Sequence, residues 1–126
     1  MSNIFLCDDS PMILRMLEKR LGDAGFKIVG KAKDGVECLD LYPDAKPDLL
    51  LLDVTMPNKD GRECLRDLIS TNPSAKVIMV SALTDPKVVQ QCLADGAKAF
   101  INKSHLSSPD DFNVHILTVI RTVLSA

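Results

Sequence analysis

Asp48-Leu49-Leu50-Leu51-Leu52-Asp53, with the Met56-Pro57-Asn58-Lys59-Asp60-Gly61 segment that follows it, decides how the rest of the chain is read. Four consecutive leucines leave no polar face, which suits a strand buried on both sides of a parallel sheet. The run stops at one carboxylate, Asp53. The residues beyond it are turn formers, which keep the space in front of that carboxylate open.

Similar apolar runs at 3–7, 26–30, 76–80 and 99–102, together with 48–52, predict five strands. Between them the spacing turns helical. Met12, Ile13, Met16, Leu17 and Leu21 recur at three- and four-residue steps, with Gly25 just past the end. Ser10-Pro11 and Asp85-Pro86 each set a capping side chain before a first-turn proline. Further helices fit 36–42, 62–71, 88–94 and, after Ser108-Pro109, 112–124. Strand and helix thus alternate five times. Parallel strands need crossovers, so the fold class is α/β, a doubly wound parallel sheet covered on both faces.

The chain has 126 residues, 46% of them hydrophobic, which fits one domain spanning 1–126. Fifteen Lys and Arg against 17 Asp and Glu give a net charge of -2, so no bulk attraction draws the chain to nucleic acid or an anionic membrane. The cysteines Cys7, Cys38, Cys64 and Cys92 form no Cys-x-x-Cys pair, which argues against a zinc site or a disulfide framework and suits a reducing cytoplasm. Asp8 and Asp9 interrupt the first apolar run, and no run approaches the roughly 20 residues of a membrane helix. A cytoplasmic protein is expected.

In such sheets ligands sit beyond the carboxyl ends of the strands. Those ends carry Asp8-Asp9, Asp53, Ser81 and Lys103. Three converging carboxylates repel one another unless a cation intervenes. Oxygen donors without histidine or cysteine favour magnesium over zinc. Magnesium with Lys103 and Ser81 as further donors suits phosphoryl transfer, and Asp53, standing alone before its turn, is the candidate nucleophile. Each residue has an ordinary reading too: a solvated helix start for Asp8-Asp9, a surface charge for Lys103, a turn hydroxyl for Ser81. The coincidence of four strand ends with one chemistry favours the functional reading. His105 and His115 read as surface or helix-face residues rather than ligands, and Cys7 and Cys92 as small packing residues.

The set Asp8-Asp9, Asp53 with Met56-Pro57 and Asp60-Gly61, Ser81-Ala82, and Ala97-Lys98-Ala99-Phe100 ahead of Lys103 resembles the receiver domains of two-component response regulators. The resemblance covers about residues 3–104. It implies a flavodoxin-like (βα)5 fold with sheet order 2-1-3-4-5. It also implies that Asp53 accepts a phosphoryl group from a sensor histidine kinase, a phosphotransfer protein or a small phosphodonor, and that the domain helps to hydrolyse the product. Asp9, Asp53 and the carbonyl of Thr55 would bind Mg2+ directly, with Asp8 acting through water. Lys103 would pair with Asp53 and then with the phosphoryl group. Ser81 and Phe100 would be the switch residues, and the fourth helix, fifth strand and fifth helix, about 87–124, the face that meets a protein partner. Chemotaxis is an output that the resemblance suggests, and a freely diffusing regulator is expected.

Three departures carry expectations. Receivers usually follow the lysine with proline through a cis bond. Here Ser104 follows Lys103, and a non-proline cis bond costs about 2.5–4 kcal/mol, so cis geometry survives only as a residual expectation. Phe100 has no hydroxyl for an output to read. Thr55 and Leu83 offer no carboxylate or carboxamide to orient water, which predicts slow self-dephosphorylation. The last helix carries Val114, Ile116, Leu117, Val119, Ile120, Val123 and Leu124, wider than one stripe; it reads either as fuller packing on the sheet or as a homodimer or partner surface.

Two other classes compete with this reading. An aspartyl-nucleophile phosphatase of the haloacid dehalogenase kind needs a second aspartate where Thr55 stands. A flavin carrier on the same sheet needs a Ser/Thr/Gly-rich phosphate loop that strand one lacks.

Overall fold

The computed structural model describes residues 2–82 and 85–126. Along the chain lie β1 (Asn3–Cys7), α1 (Pro11–Asp23), β2 (Lys27–Ala32), α2 (Gly35–Ala45), β3 (Leu49–Asp53), α3 (Gly61–Thr71), β4 (Val77–Ser81), α4 (Pro86–Ala94) and β5 (Ala99–Asn102). A 3-10 turn (Lys103–Leu106) follows. The chain then runs through α5 (Pro109–Phe112), a π-helical turn (Asn113–Leu117) and α6 (Thr118–Ser125). The five strands form one sheet of order β2-β1-β3-β4-β5, every pair parallel, as the sequence implied.

Alternation along the strands builds two cores. Phe5, Cys7, Leu50, Leu52, Val77 and Met79 face one side, where Cys38, Cys64, Leu65, Leu68 and Cys92 of α2, α3 and α4 cover them. Ile4, Leu6, Leu49, Leu51, Ile78 and Val80 face the other, under Leu17 and Leu21 of α1 and the last helical run. The four leucines therefore divide two and two between the cores, which explains why the run admits no polar residue.

Helix starts follow their caps. Ser10 accepts from the N–H of Ile13, Asp60 from Glu63 and Asp85 from Lys87, each satisfying an otherwise unpaired donor. Gly25, at φ +94°, sits just beyond α1.

Several boundaries differ from the sequence reading. β3 and β4 each run one residue further, so Asp53 and Ser81 are the last residues of their strands; Asp53 pairs in register with Val80, and the ladder continues as Val54 N–H bonds the Val80 carbonyl at 3.3 Å. α2 passes through Pro43 to Ala45, where the proline gives up one ladder bond only two residues from the helix end, and Lys46 closes it in the left-handed region. The last helical run begins at Pro109 rather than 112, since Ser108 accepts from the N–H of Asp111 and Phe112 is already in the core.

No peptide bond among the described residues is cis, so Lys103–Ser104 is trans, correcting the residual expectation. The chain turns there through the 3-10 segment instead, where Asn102 Oδ1 accepts from the N–H of Ser104. The broad apolar surface of the last helix is mostly spent on the core. Ile116, Leu117, Ile120 and Val123 are buried, Val119 and Leu124 pack against them, and Val114 is 63% exposed. No helix among the described residues is long and apolar enough to cross a membrane.

Candidate functional site

Parallel register delivers the ends of β1, β3, β4 and β5 to one edge of the sheet, and the predicted residues meet there. Asp8 follows β1 directly and is held by its own N–H bond to the Ala32 carbonyl, 3.0 Å. Asp53 closes β3. Oxygens of Asp8, Asp9 and Asp53 lie within 4.8 Å of one another. Asp8 and Asp53 are buried, at 2% and 4% exposure, and Asp9 is exposed.

Lys103, immediately beyond β5, reaches into this pocket. Its Nζ lies 2.8 Å from Asp8 Oδ2 and 3.2 Å from Asp53 Oδ1. The sequence reading paired it with Asp53; the structure shares it between two carboxylates. Ser81 closes β4, buried, in register with Asn102. Phe100 is half-buried and packs against the core under α4, and Thr55 is exposed in the loop after β3. Leu83 lies outside the described residues.

Two buried acids and an exposed third against one ammonium leave excess negative charge. Burial, and next the charge of Asp8, push the Asp53 carboxyl from 3.8 to about 6 despite the opposing pull of Lys103. Burial alone would lower the lysine, but the hydrogen bond to Asp8 and the charges of Asp53 and Asp8 outweigh it and raise Lys103. This frustration is what a hard divalent cation relieves, and the oxygen-only donor set fits magnesium.

Supporting residues escaped the sequence reading. Asp34, buried, caps α2 through the N–H of Glu37 at 2.9 Å and accepts from the side-chain amide of Asn58 at 2.8 Å. Those bonds, the one from Glu37 first, hold its carboxyl below the usual range. Asn58 adopts φ +65°, a conformation asparagine tolerates better than most residues. Gly35 N–H bonds the Lys59 carbonyl at 2.9 Å. Together these tie the loop after Asp53 to the start of α2. The Asp-Gly pair at 34–35 was the available signal. Gly61 lies against the backbone of Asp53, and a Cβ there would meet the Asp53 carbonyl oxygen.

Residues 4–112 match the family model of the response regulator receiver domain. The chain is 38% identical over 103 residues to the chemotaxis protein CheY of Listeria monocytogenes, an alignment covering 82% of this chain and 87% of that one. A CheX–CheY complex with BeF3 and Mg from Borrelia burgdorferi is similar in structure at TM-score 0.86 and 34% identity, covering 97% and 88% of the two chains. The response regulator domain of Thermotoga maritima CheB gives 0.89 and 31%, covering 100% and 98%.

Proposed function

The chain belongs to the response regulator receiver family, and on that footing we propose that it is a phosphorylation switch whose acceptor is Asp53. The observation that carries this reading is the pocket itself: a buried carboxylate at the end of β3, one lysine shared with Asp8, and a second and third carboxylate alongside.

The step is a displacement at phosphorus. An Asp53 carboxylate oxygen forms the new P–O bond as the P–N bond of a donor phosphohistidine breaks; the departing imidazole nitrogen keeps the electron pair and takes up a proton. With acetyl phosphate the broken bond is P–O and acetate leaves. Asp9, Asp53 and the Thr55 carbonyl would hold magnesium, Asp8 through water, and the bound ion would neutralise charge on the phosphoryl oxygens. Lys103 loses half its pairing when Asp53 becomes an acyl phosphate and moves to a phosphoryl oxygen. Ser81, one strand over, supplies a hydroxyl donor, and Phe100 repacks in response. Reversal is hydrolytic: water attacks phosphorus and restores the carboxylate. In this sense the chain catalyses its own phosphorylation and dephosphorylation without being a conventional enzyme.

The phosphodonor is a sensor histidine kinase or phosphotransfer protein. The output is a protein partner at the face of α4, β5 and the last helical run, 109–125, in a chemotaxis-type pathway as in the relatives. Val114, exposed on that run, is what remains of the apolar surface for a homodimer or a partner.

Intact-mass spectrometry after incubation with acetyl phosphate and Mg2+ tests the reading. One added phosphoryl group, absent in Asp53→Asn and without magnesium, is expected. No adduct, or an adduct retained in Asp53→Asn, overturns it.

A further inference from the structure

A second cluster of metal-type donors lies outside the acidic pocket. His105, in the 3-10 turn after β5, and His115, in the π-helical turn, both point a ring nitrogen at one oxygen of Asp111. His105 Nδ1 is 3.2 Å and His115 Nε2 3.4 Å from Asp111 Oδ1. The two imidazoles stack with centroids 4.1 Å apart and planes 24° from parallel. All three donor atoms fall within 4.8 Å of one another.

We infer that His105, Asp111 and His115 form a binding site for a first-row transition-metal ion of the zinc type. A tetrahedral ion with bonds of about 2.0–2.1 Å sets its ligands about 3.3–3.4 Å apart, which the two nitrogen–oxygen separations already match. Two imidazole nitrogens and one carboxylate oxygen are the donors of a borderline ion, whereas magnesium prefers oxygen and water.

The local chain geometry sets the site. Ser108 Oγ accepts from the N–H of Asp111 and fixes the first turn of α5. His115 stands four residues on, and the π turn fixes where its ring projects. The opposite ligand is placed by the 3-10 turn, whose Leu106 carbonyl accepts from Arg20 Nε at 3.0 Å. The side chains are 32%, 37% and 50% exposed for His105, Asp111 and His115, so a fourth coordination position faces water. An ion there ties the turn that begins at Lys103 to the last helical run. It does not depend on Asp53 being a phosphoryl acceptor.

The test is titration of the full chain with Zn2+ by calorimetry and with Co2+ by visible absorption, in excess Mg2+ to occupy the acidic pocket. The wild type and Asp53→Asn bind one ion with the same affinity, and Co2+ develops the intense bands of a low-coordinate nitrogen-containing site. His105→Gln, His115→Gln and Asp111→Asn each weaken binding at least tenfold, while metal-free melting of the half-exposed His115→Gln is unchanged. Absence of saturable binding below about 1 mM overturns the inference, as does wild-type affinity in both histidine variants. Loss of binding in Asp53→Asn alone, which places the ion in the acidic pocket, overturns it too.

Discussion

A Cβ on Gly61 would lie 1.9 Å from the carbonyl oxygen of Asp53. The first residue of α3 is therefore pressed against the backbone of Asp53 itself, and the helix cannot keep its place if that residue gains a side chain. Gly61→Ala should lower stability by about 1–3 kcal/mol, the range for overpacking, and slow acetyl phosphate labelling of Asp53. Urea denaturation and intact mass check both. Wild-type stability together with wild-type labelling would show that the contact is dispensable.

The raised carboxyl of Asp53 makes a stability prediction of definite sign. Below 3.8 the group is protonated folded and unfolded, and no penalty exists. Between 3.8 and about 6 the folded protein keeps a proton the unfolded chain gives up. Above about 6 the charged form is fully disfavoured by folding. A shift of this size is worth at most about 3 kcal/mol with the pull of Lys103 already contained in it, and relaxation of the pocket lowers that figure. Metal-free Asp53→Asn should thus be about 1–2 kcal/mol more stable than the wild type at pH 7, with the advantage shrinking by pH 4. Magnesium should stabilise the wild type and do much less for the variant. Urea melts at the two pH values, with and without Mg2+, decide it.

Lys103 lowers the Asp53 carboxyl, while Asp8 and burial raise it. Lys103→Met should move the Asp53 midpoint well above 6, as read by carboxyl-carbon NMR. Magnesium must displace that proton, so its affinity should fall as pH drops through the Asp53 midpoint, and at a higher pH in the variant. A pH-independent affinity between 5 and 7 would contradict the shared-lysine account.

Thr55 is exposed two residues after Asp53, the proposed acceptor, and has no carboxylate or carboxamide to hold an attacking water. The phosphoryl group on Asp53 should persist for minutes or longer, and Thr55→Asn should shorten its life several-fold. Loss of the mass adduct over time measures this; decay of the wild type within seconds would defeat it.

The sheet was legible because Leu49 to Leu52 serve both cores and because Ser10 and Asp85 announce their helices. The acidic pocket followed, since a parallel sheet puts Asp8, Asp53, Ser81 and Lys103 on one edge whatever the exact boundaries. What sequence could not supply was geometry set by irregular backbone. Asn58 reaches Asp34 only because it takes a left-handed conformation after a turn. His105 and His115, read as surface or helix-face residues, meet because a 3-10 turn and a π turn place them; a plain helical wheel joins His115 to Asp111 but says nothing of His105. The trans bond at Lys103–Ser104 likewise follows from the local turn rather than from the resemblance.

Asp53 ends a strand flanked by β1 and β4, and its lysine, Lys103, comes just after β5, so the pair joins distant parts of the chain. A nascent chain holding residues 1–82 contains all three carboxylates, Asp53 among them, but not the ammonium that balances them. On the proposed function such a fragment lacks the lysine the switch needs. Competence would arrive only with the turn after the last strand, so a phosphorylated Asp53 would also report that the sheet has been assembled.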